Sequence, residues 1–182
     1  MPMYWWVAVH VIGAVLGVGA ATMNDVLFMR ALGRPEEGEA YRRYGKTISQ
    51  VAWLGVALLV ISAIAFWRIH PEILHSQKIM FKIGLTLLLV FNAQAMLSLL
   101  VPYIAKMQPA DWKDAKKLTW VGRVGVPYGV VSAVSWYTAL ILGAVGRQPW
   151  TALQILPFYV AAIAIGYIVG RIMVAKRLAE LK

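Results

Sequence analysis

Four polar residues interrupt apolar stretches of this sequence, where a charge or a strong hydrogen-bonding group is costly. His10 stands in YWWVAVHVIGAVLGVGA, Asn24 and Asp25 follow in the same apolar run, and Lys82 stands in PEILHSQKIMFKIGLTLLLV. A neutral imidazole can ligate haem iron or handle protons, and an ammonium group can pair with a carboxylate. The chemistry to consider is therefore metal ligation, proton handling or ion pairing.

The elements that must position these residues are membrane helices. The chain has 182 residues, of which 60% are apolar and only 14% charged, a composition far from that of a soluble domain. Five continuous apolar runs are each long enough for the roughly 20 residues of a bilayer-spanning helix. They cover residues 4–29, 48–67, 79–105, 124–145 and 150–170. Because a barrel would show short alternating segments instead, we predict an all-α fold: one integral membrane domain, residues 1–182, with five transmembrane helices.

Charge predicts the orientation of this bundle. Of the 18 Lys and Arg residues, all but Arg68, Lys78, Lys82 and Arg147 fall on one side or in the C-terminal tail. The positive-inside rule then places the N-terminus outside and the C-terminus in the cytoplasm, in a bacterial inner membrane. Topology and attraction to anionic lipid explain the net charge of +10, so we expect no nucleic-acid partner. The first apolar run lacks a preceding basic segment and is too long for a signal sequence, so we expect it to be retained.

Several motifs concern helix packing and helix ends. Three glycine pairs spaced by four residues predict close helix contacts: Gly13 and Gly17, Gly125 and Gly129, Gly166 and Gly170. The segments RPEEGEAYRRYGK and QPADWKDAKK are typical of short surface helices at the cytoplasmic connections. No internal repeat is evident, which disfavours a transporter built from repeats.

The first helix has one face that combines polar and small residues. Met3, His10, Gly17, Ala21, Asn24 and Phe28 lie within about 40° of one line. This face should point into the bundle, with room for a flat group beside Gly17 and Ala21. Lys82 on the third helix should lie at a depth similar to that of His10. Asp25 lies about 22 Å deeper and cannot share a metal ion with His10.

Each polar residue also has a structural interpretation. His10 could serve as an axial haem ligand or as a hydrogen-bonding or proton-handling group, and Lys82 could simply extend to the membrane surface. For Asp25 we expect an ion pair with Arg123 at the start of the fourth helix. We expect interhelical hydrogen bonds from a further polar set: Asn92, Gln94, Tyr128, Ser132 and Ser135.

Metal and redox chemistry are restricted by the rest of the composition. The absence of cysteine excludes disulfides, iron-sulfur clusters and covalently attached haem, and leaves non-covalent haem. His70, Glu72 and His75 could bind zinc or copper, but their spacing matches no standard site, so a solvated loop is expected.

Two segments resemble a known family. YWWVAVHVIGAVLGVGA, followed by Leu27 and Phe28, and PEILHSQKIMFKIGLTLLLV resemble the HemJ-type membrane protoporphyrinogen oxidases and, more loosely, copper-resistance protein D-like membrane proteins. His10, Gly13 and Lys82 fall at matching positions. The resemblance implies a non-covalently bound haem b, a functional histidine and lysine pair, and oxidation of protoporphyrinogen IX to protoporphyrin IX.

The leading hypothesis is thus a haem b or tetrapyrrole binder with an electron-transfer or porphyrinogen-oxidising role, in which His10 ligates the haem iron and His10 and Lys82 are the catalytic pair. Gly13 and Gly17 would line the slot, and Lys82, Arg68 and Lys78 would meet propionates or substrate carboxylates. Its partners would be membrane lipid, the tetrapyrrole and a membrane electron acceptor, and a homo-oligomer is compatible with it. The alternative is a non-enzymatic accessory subunit, or a small channel or transporter in which His10, Asn24 and Asp25 line a hydrated path.

Overall fold

The computed structural model describes residues 3–145 and 150–179, and every regular element in those ranges is helical. Five long helices follow one another: α1 Met3–Gly33, α2 Pro35–Ile69, α3 Gln77–Ala105, α4 Ala115–Ala144 and α5 Ala152–Ala179. Two short 3₁₀ helices, Pro71–His75 and Pro109–Lys113, precede α3 and α4. All five long helices are long and apolar enough to cross a membrane, which confirms the predicted helical class and the number of candidate spans.

The helices extend beyond the predicted spans mainly before the second and fourth spans and after the fifth. RPEEGEAYRRYGK forms no separate surface helix. Pro35 begins α2 at its first position, and α2 then continues without a break through residue 69. A helix of 35 residues is about 52 Å long, which exceeds the roughly 30 Å of a hydrocarbon core by more than the length of its charged first turns.

The second expected surface helix is divided in two. QPADWKDAKK forms the 3₁₀ helix Pro109–Lys113 and then the first turn of α4, which Asp114 caps by accepting a hydrogen bond from the Lys116 amide at 2.8 Å. Lys117 pairs with Asp111 at 2.6 Å, and this hydrogen-bonded ammonium holds the pKa of the Asp111 carboxyl below its usual range.

One end of the bundle is better packed than the other. We call it the basic end; it comprises the turn at Arg34, the 3₁₀ helix Pro109–Lys113 and the C-terminal part of α5. Trp112 is almost fully buried there and its indole lies against Gly38 of α2. The core of this end also contains Leu32, Leu100, Leu118 and Val121. Arg147 and Lys182 lie outside the described residues.

Helix packing follows the small residues. α1 packs most extensively on α2 and also contacts α4 and α5, α3 packs chiefly on α4, and α2 and α3 make few direct contacts. The predicted close contacts at the glycine pairs are confirmed, since Gly166 and Gly170 lie against Val130 and Val126 of α4. The tightest approach joins α1 to α2: a Cβ at Gly55 would lie 2.7 Å from the Gly17 nitrogen and 2.8 Å from the Gly13 oxygen.

We predict that Gly55→Ala destabilises the bundle, because the added methyl group meets backbone atoms that cannot rotate away. Overpacking of this kind costs about 1–3 kcal/mol. Thermal unfolding in detergent should show a lower midpoint for the variant. Gly84→Ala is the matched control, because nothing lies within 4 Å of a Cβ at that position. An unchanged midpoint for Gly55→Ala would contradict the packing described here.

Candidate functional site

The end of the bundle opposite the basic end carries a hydrogen-bonded histidine. His10 Nδ1 on α1 lies 2.9 Å from the hydroxyl oxygen of Ser62 on α2, whose side chain is completely buried. The Ser62 hydroxyl donates to the Leu58 carbonyl at 2.7 Å. Both contacts are satisfied if Ser62 gives its single proton to the Leu58 carbonyl and accepts the N–H of His10 Nδ1. A neutral imidazole in that tautomer has its lone pair on Nε2.

Lys82 of α3 lies at the same end of the bundle as His10, and its ammonium group interacts electrostatically with the imidazole. It also lies 3.6 Å from the position of a Cβ on Gly143 of α4. Lys78, one turn earlier, donates a hydrogen bond to the Val145 carbonyl at 3.2 Å. Arg68 is exposed in the last turn of α2.

The flat slot expected beside Gly13 and Gly17 is filled by protein. A Cβ on Gly13 would lie 2.9 Å from the Gly55 carbonyl oxygen, so α2 covers this glycine directly. At Gly17 the added atom would overlap the indole ring of Trp136 from α4. These two glycines therefore bring helices together, and a planar macrocycle has no room beside them. The imidazole has the chemistry of an axial ligand, but the space beside Gly13 and Gly17 does not fit a haem.

Asn24 and Asp25 lie in a different environment, toward the basic end. The Asp25 Oδ1 atom lies 3.0 Å from where a Cβ on Gly129 of α4 would be, so the carboxylate packs against bare helix backbone. The Asn24 side chain interacts with both the Asp25 carboxylate and the hydroxyl of Tyr41, which is buried.

The expected ion pair between Asp25 and Arg123 is not formed. Of the ion pairs within 4.0 Å in residues 3–145 and 150–179, none includes Asp25. Arg123 is exposed. The reason is geometric: Asp25 contacts α4 at Gly129, which is about 9 Å along the helix from Arg123. The carboxylate thus has no cationic partner among the described residues.

Asp25 lines a cavity between α2 and α3, whose floor is formed by α1 and α4. Its volume is about 310 Å³, within the range of small-molecule sites. From Tyr41 to Val56, the first and last of its lining residues on α2, it extends about 22 Å from the basic end toward the middle of the bundle. Its remaining polar and aromatic lining includes Asn24, Tyr41, Ser49, Trp53, Asn92, Tyr128, Ser132 and Trp136.

Of the five polar residues expected to form interhelical hydrogen bonds, Asn92 and Ser135 do so through their side chains among the described residues. The Asn92 side-chain amide donates to the Tyr128 carbonyl at 3.0 Å, and the hydroxyls of Ser135 and Tyr159 are 2.7 Å apart. Gln94 is exposed. His70 pairs with Glu72 at 2.9 Å, and in the described part of the chain no three His, Asp or Glu side chains converge as a metal site would require.

The sequence prediction missed the residues of α2 that face Asp25. Tyr41, Gly45, Ser49 and Trp53 recur every four residues and line one side of the cavity. That spacing is a signal for a single helical face, but it becomes visible only if α2 is continuous from Pro35. Treating residues 35–46 as a separate surface helix concealed it.

The hydrogen bond between His10 and Ser62 leads to a test. We predict that His10 is a neutral Nδ1–H tautomer, and that Ser62→Ala, which removes the acceptor, shifts the ring toward the Nε2–H tautomer. Solid-state ¹⁵N NMR of labelled histidine distinguishes the two ring nitrogens, with His75→Ala used to remove a surface signal. An Nδ1 without a proton in the unmodified protein would show that Ser62 does not accept from it.

Comparisons with known proteins leave the family open. No family model matches the chain, and no curated protein and no solved structure is significantly similar to it. The resemblance to the HemJ-type oxidases therefore stays a hypothesis based on the quoted segments. Function has to be inferred from the chemistry of the site itself.

Proposed function

We propose that this chain is a multi-pass protein of a bacterial inner membrane, with its N-terminus outside and the basic end in the cytoplasm. Five apolar helices support the membrane location. The strong bias of Lys and Arg toward one side of the predicted spans supports the orientation.

Within that membrane, we propose that it acts as a small transporter or binding protein whose intramembrane polar residues line a hydrated cavity. The observation that carries this proposal is the Asp25 carboxylate, which lines a cavity of about 310 Å³ without a cationic partner among the described residues. Ionisable groups inside membrane helices are costly and usually mark a pathway or a site.

A purely accessory packing subunit would have little use for this arrangement. The Asp25 carboxylate lies against Gly129, where a larger residue would close the space. Asn92, whose amide bonds to α4, and the hydroxyl of Ser132 add polar groups to the same cavity. Such a lining can hold water, which needs several polar partners to occupy a cavity.

Cysteine accessibility tests this proposal directly, because the natural sequence contains no cysteine. We predict that Ser132→Cys reacts with a membrane-impermeant cationic thiosulfonate added on the side of the basic end. Water in the cavity allows the thiol to ionise and the reagent to reach it. Mass spectrometry of sealed vesicles of both orientations measures the rate and the side of access.

The matched control is Ala161→Cys, at an exposed position of α5 about 26 Å from the basic end of its helix, as Ser132 is in α4. A thiol facing lipid should remain unmodified. Equal rates at the two positions would refute a hydrated cavity, and labelling only from the opposite side would refute the proposed orientation.

Tetrapyrrole binding at His10 is the second candidate function. One observation favours it: the Ser62 hydroxyl oxygen lies 2.9 Å from His10 Nδ1, and a hydrogen-bond partner on the second ring nitrogen is typical of metal-ligating histidines. Lys82 could pair there with a propionate or a substrate carboxylate, with Lys78 and Arg68 on the same side of the bundle. A bound haem b would supply one-electron chemistry. The filled space beside Gly17 weighs against this candidate.

An absorbance spectrum separates the two candidates. If haem is bound, the purified protein shows a Soret band, and His10→Ala removes it because the axial ligand is lost. His75→Ala, an exposed histidine in the 3₁₀ helix Pro71–His75, is the control and should retain the band. A protein that is colourless after expression with added haem precursor would exclude this function.

A further inference from the structure

We propose that the Asp25 cavity selects amphiphilic organic cations: molecules with an apolar body and one positive charge. This inference rests on the proposed binding or transport function and specifies the class of ligand. Three features of the cavity support it: the acidic side chain inside, the aromatic and apolar residues of the walls, and the paired or solvent-exposed basic residues near the basic end.

The ionisable side chain inside the cavity is an acid. Asp25 is the acidic residue of its lining, and the side chains beside it, Asn24 and Tyr41, are neutral amide and phenol groups. A carboxylate in a medium of low dielectric constant requires a cation or a proton to compensate it. Since no lysine or arginine of the described residues pairs with Asp25, a ligand can provide the compensating charge.

The walls of the cavity suit a cation with a large apolar surface. Trp53 lies on the α2 side, and Trp136 and Tyr128 lie on the α4 side. Tryptophan and tyrosine rings attract organic cations through their negative faces, most strongly where water is excluded. The α3 side is apolar, with Leu89, Met96 and Leu97, and would contact the body of the ligand.

Two basic residues, Arg42 and Lys46, line the cavity at its mouth near the basic end. They do not reverse the preference for a cation. Arg42 is held by Glu39, whose carboxylate accepts from the arginine Nε at 2.9 Å, so this pair has no net charge. Lys46 is exposed, where water and salt screen its charge. Asp25 is the one acidic residue in the described lining. A cationic ligand that enters past Arg42 and Lys46 would therefore bind beside it.

The test uses two probes of matched size and opposite charge, tetraphenylphosphonium and tetraphenylborate, titrated into nanodiscs of a zwitterionic lipid. Isothermal titration calorimetry measures binding, and protein-free nanodiscs provide the correction for partition into lipid. We expect the unmodified protein to bind the phosphonium at least about tenfold more tightly than the borate, a factor that corresponds to about 1.4 kcal/mol. Borate binding that is equal or tighter would overturn the proposal, and this comparison requires no variant.

Asp25→Asn tests whether the Asp25 carboxylate causes the preference for the cation. It removes the charge, keeps the shape, and should reduce phosphonium affinity by at least about tenfold. The matched control is Glu72→Gln, which removes a charge from the exposed 3₁₀ helix Pro71–His75 and should leave the affinity unchanged. Unchanged binding by Asp25→Asn would refute the role of this carboxylate.

The outcomes keep this inference separate from the proposed function. If Ser132→Cys is labelled but the two probes bind alike, the cavity is hydrated and its proposed selectivity is wrong. If Ser132→Cys is not labelled, the hydrated cavity itself is wrong. If the phosphonium binds Asp25→Asn as tightly as the unmodified protein, it binds at a site other than Asp25, and the proposed role of this carboxylate is wrong.

Discussion

The backbone contact between α1 and α2 at Gly13, Gly17 and Gly55 is the interaction on which the arrangement of the bundle depends. In lipid there is no hydrophobic force between helices, so close packing of small residues has to hold them together. The contact sets the register of α1 against α2 and thereby brings His10 to Ser62. Because α2 packs on α1 in this way, it makes few contacts with α3. The cavity occupies the space left between α2 and α3.

Polar residues in this bundle serve two distinct purposes that their types alone do not separate. Ser62, Asn92 and Ser135 each bond to a neighbouring helix, which satisfies them where water is absent. Asp25 has no cationic partner in residues 3–145 and 150–179, and its carboxyl group lies against the backbone at Gly129. The first group joins helices, whereas Asp25 lies exposed to a cavity. That difference is the reason to place function at Asp25 before His10.

The expectation of a haem slot shows how a pattern of small residues can mislead. Gly17 and Ala21 lie on one face of α1, as the helical periodicity predicted, and Gly13 lies one turn before Gly17. A stripe of small residues permits either a ligand or another helix to approach, and helical periodicity cannot distinguish them. In this protein α2 covers Gly13 and Trp136 of α4 covers Gly17. A residue more than a hundred positions away in the chain therefore decided how the space beside Gly17 is used.

The sequence by itself determined the helical class, the five candidate spans and the polar positions within them, because hydropathy and helix periodicity are local properties. It also predicted that His10 and Lys82 lie at similar depth, since depth follows from counting residues along each helix. Only the tertiary structure decided which helices are neighbours, that Asp25 contacts Gly129 instead of pairing with Arg123, and that Trp136 fills the space at Gly17. These outcomes depend on the rotation and separation of helices, which are set by packing between residues distant in the chain.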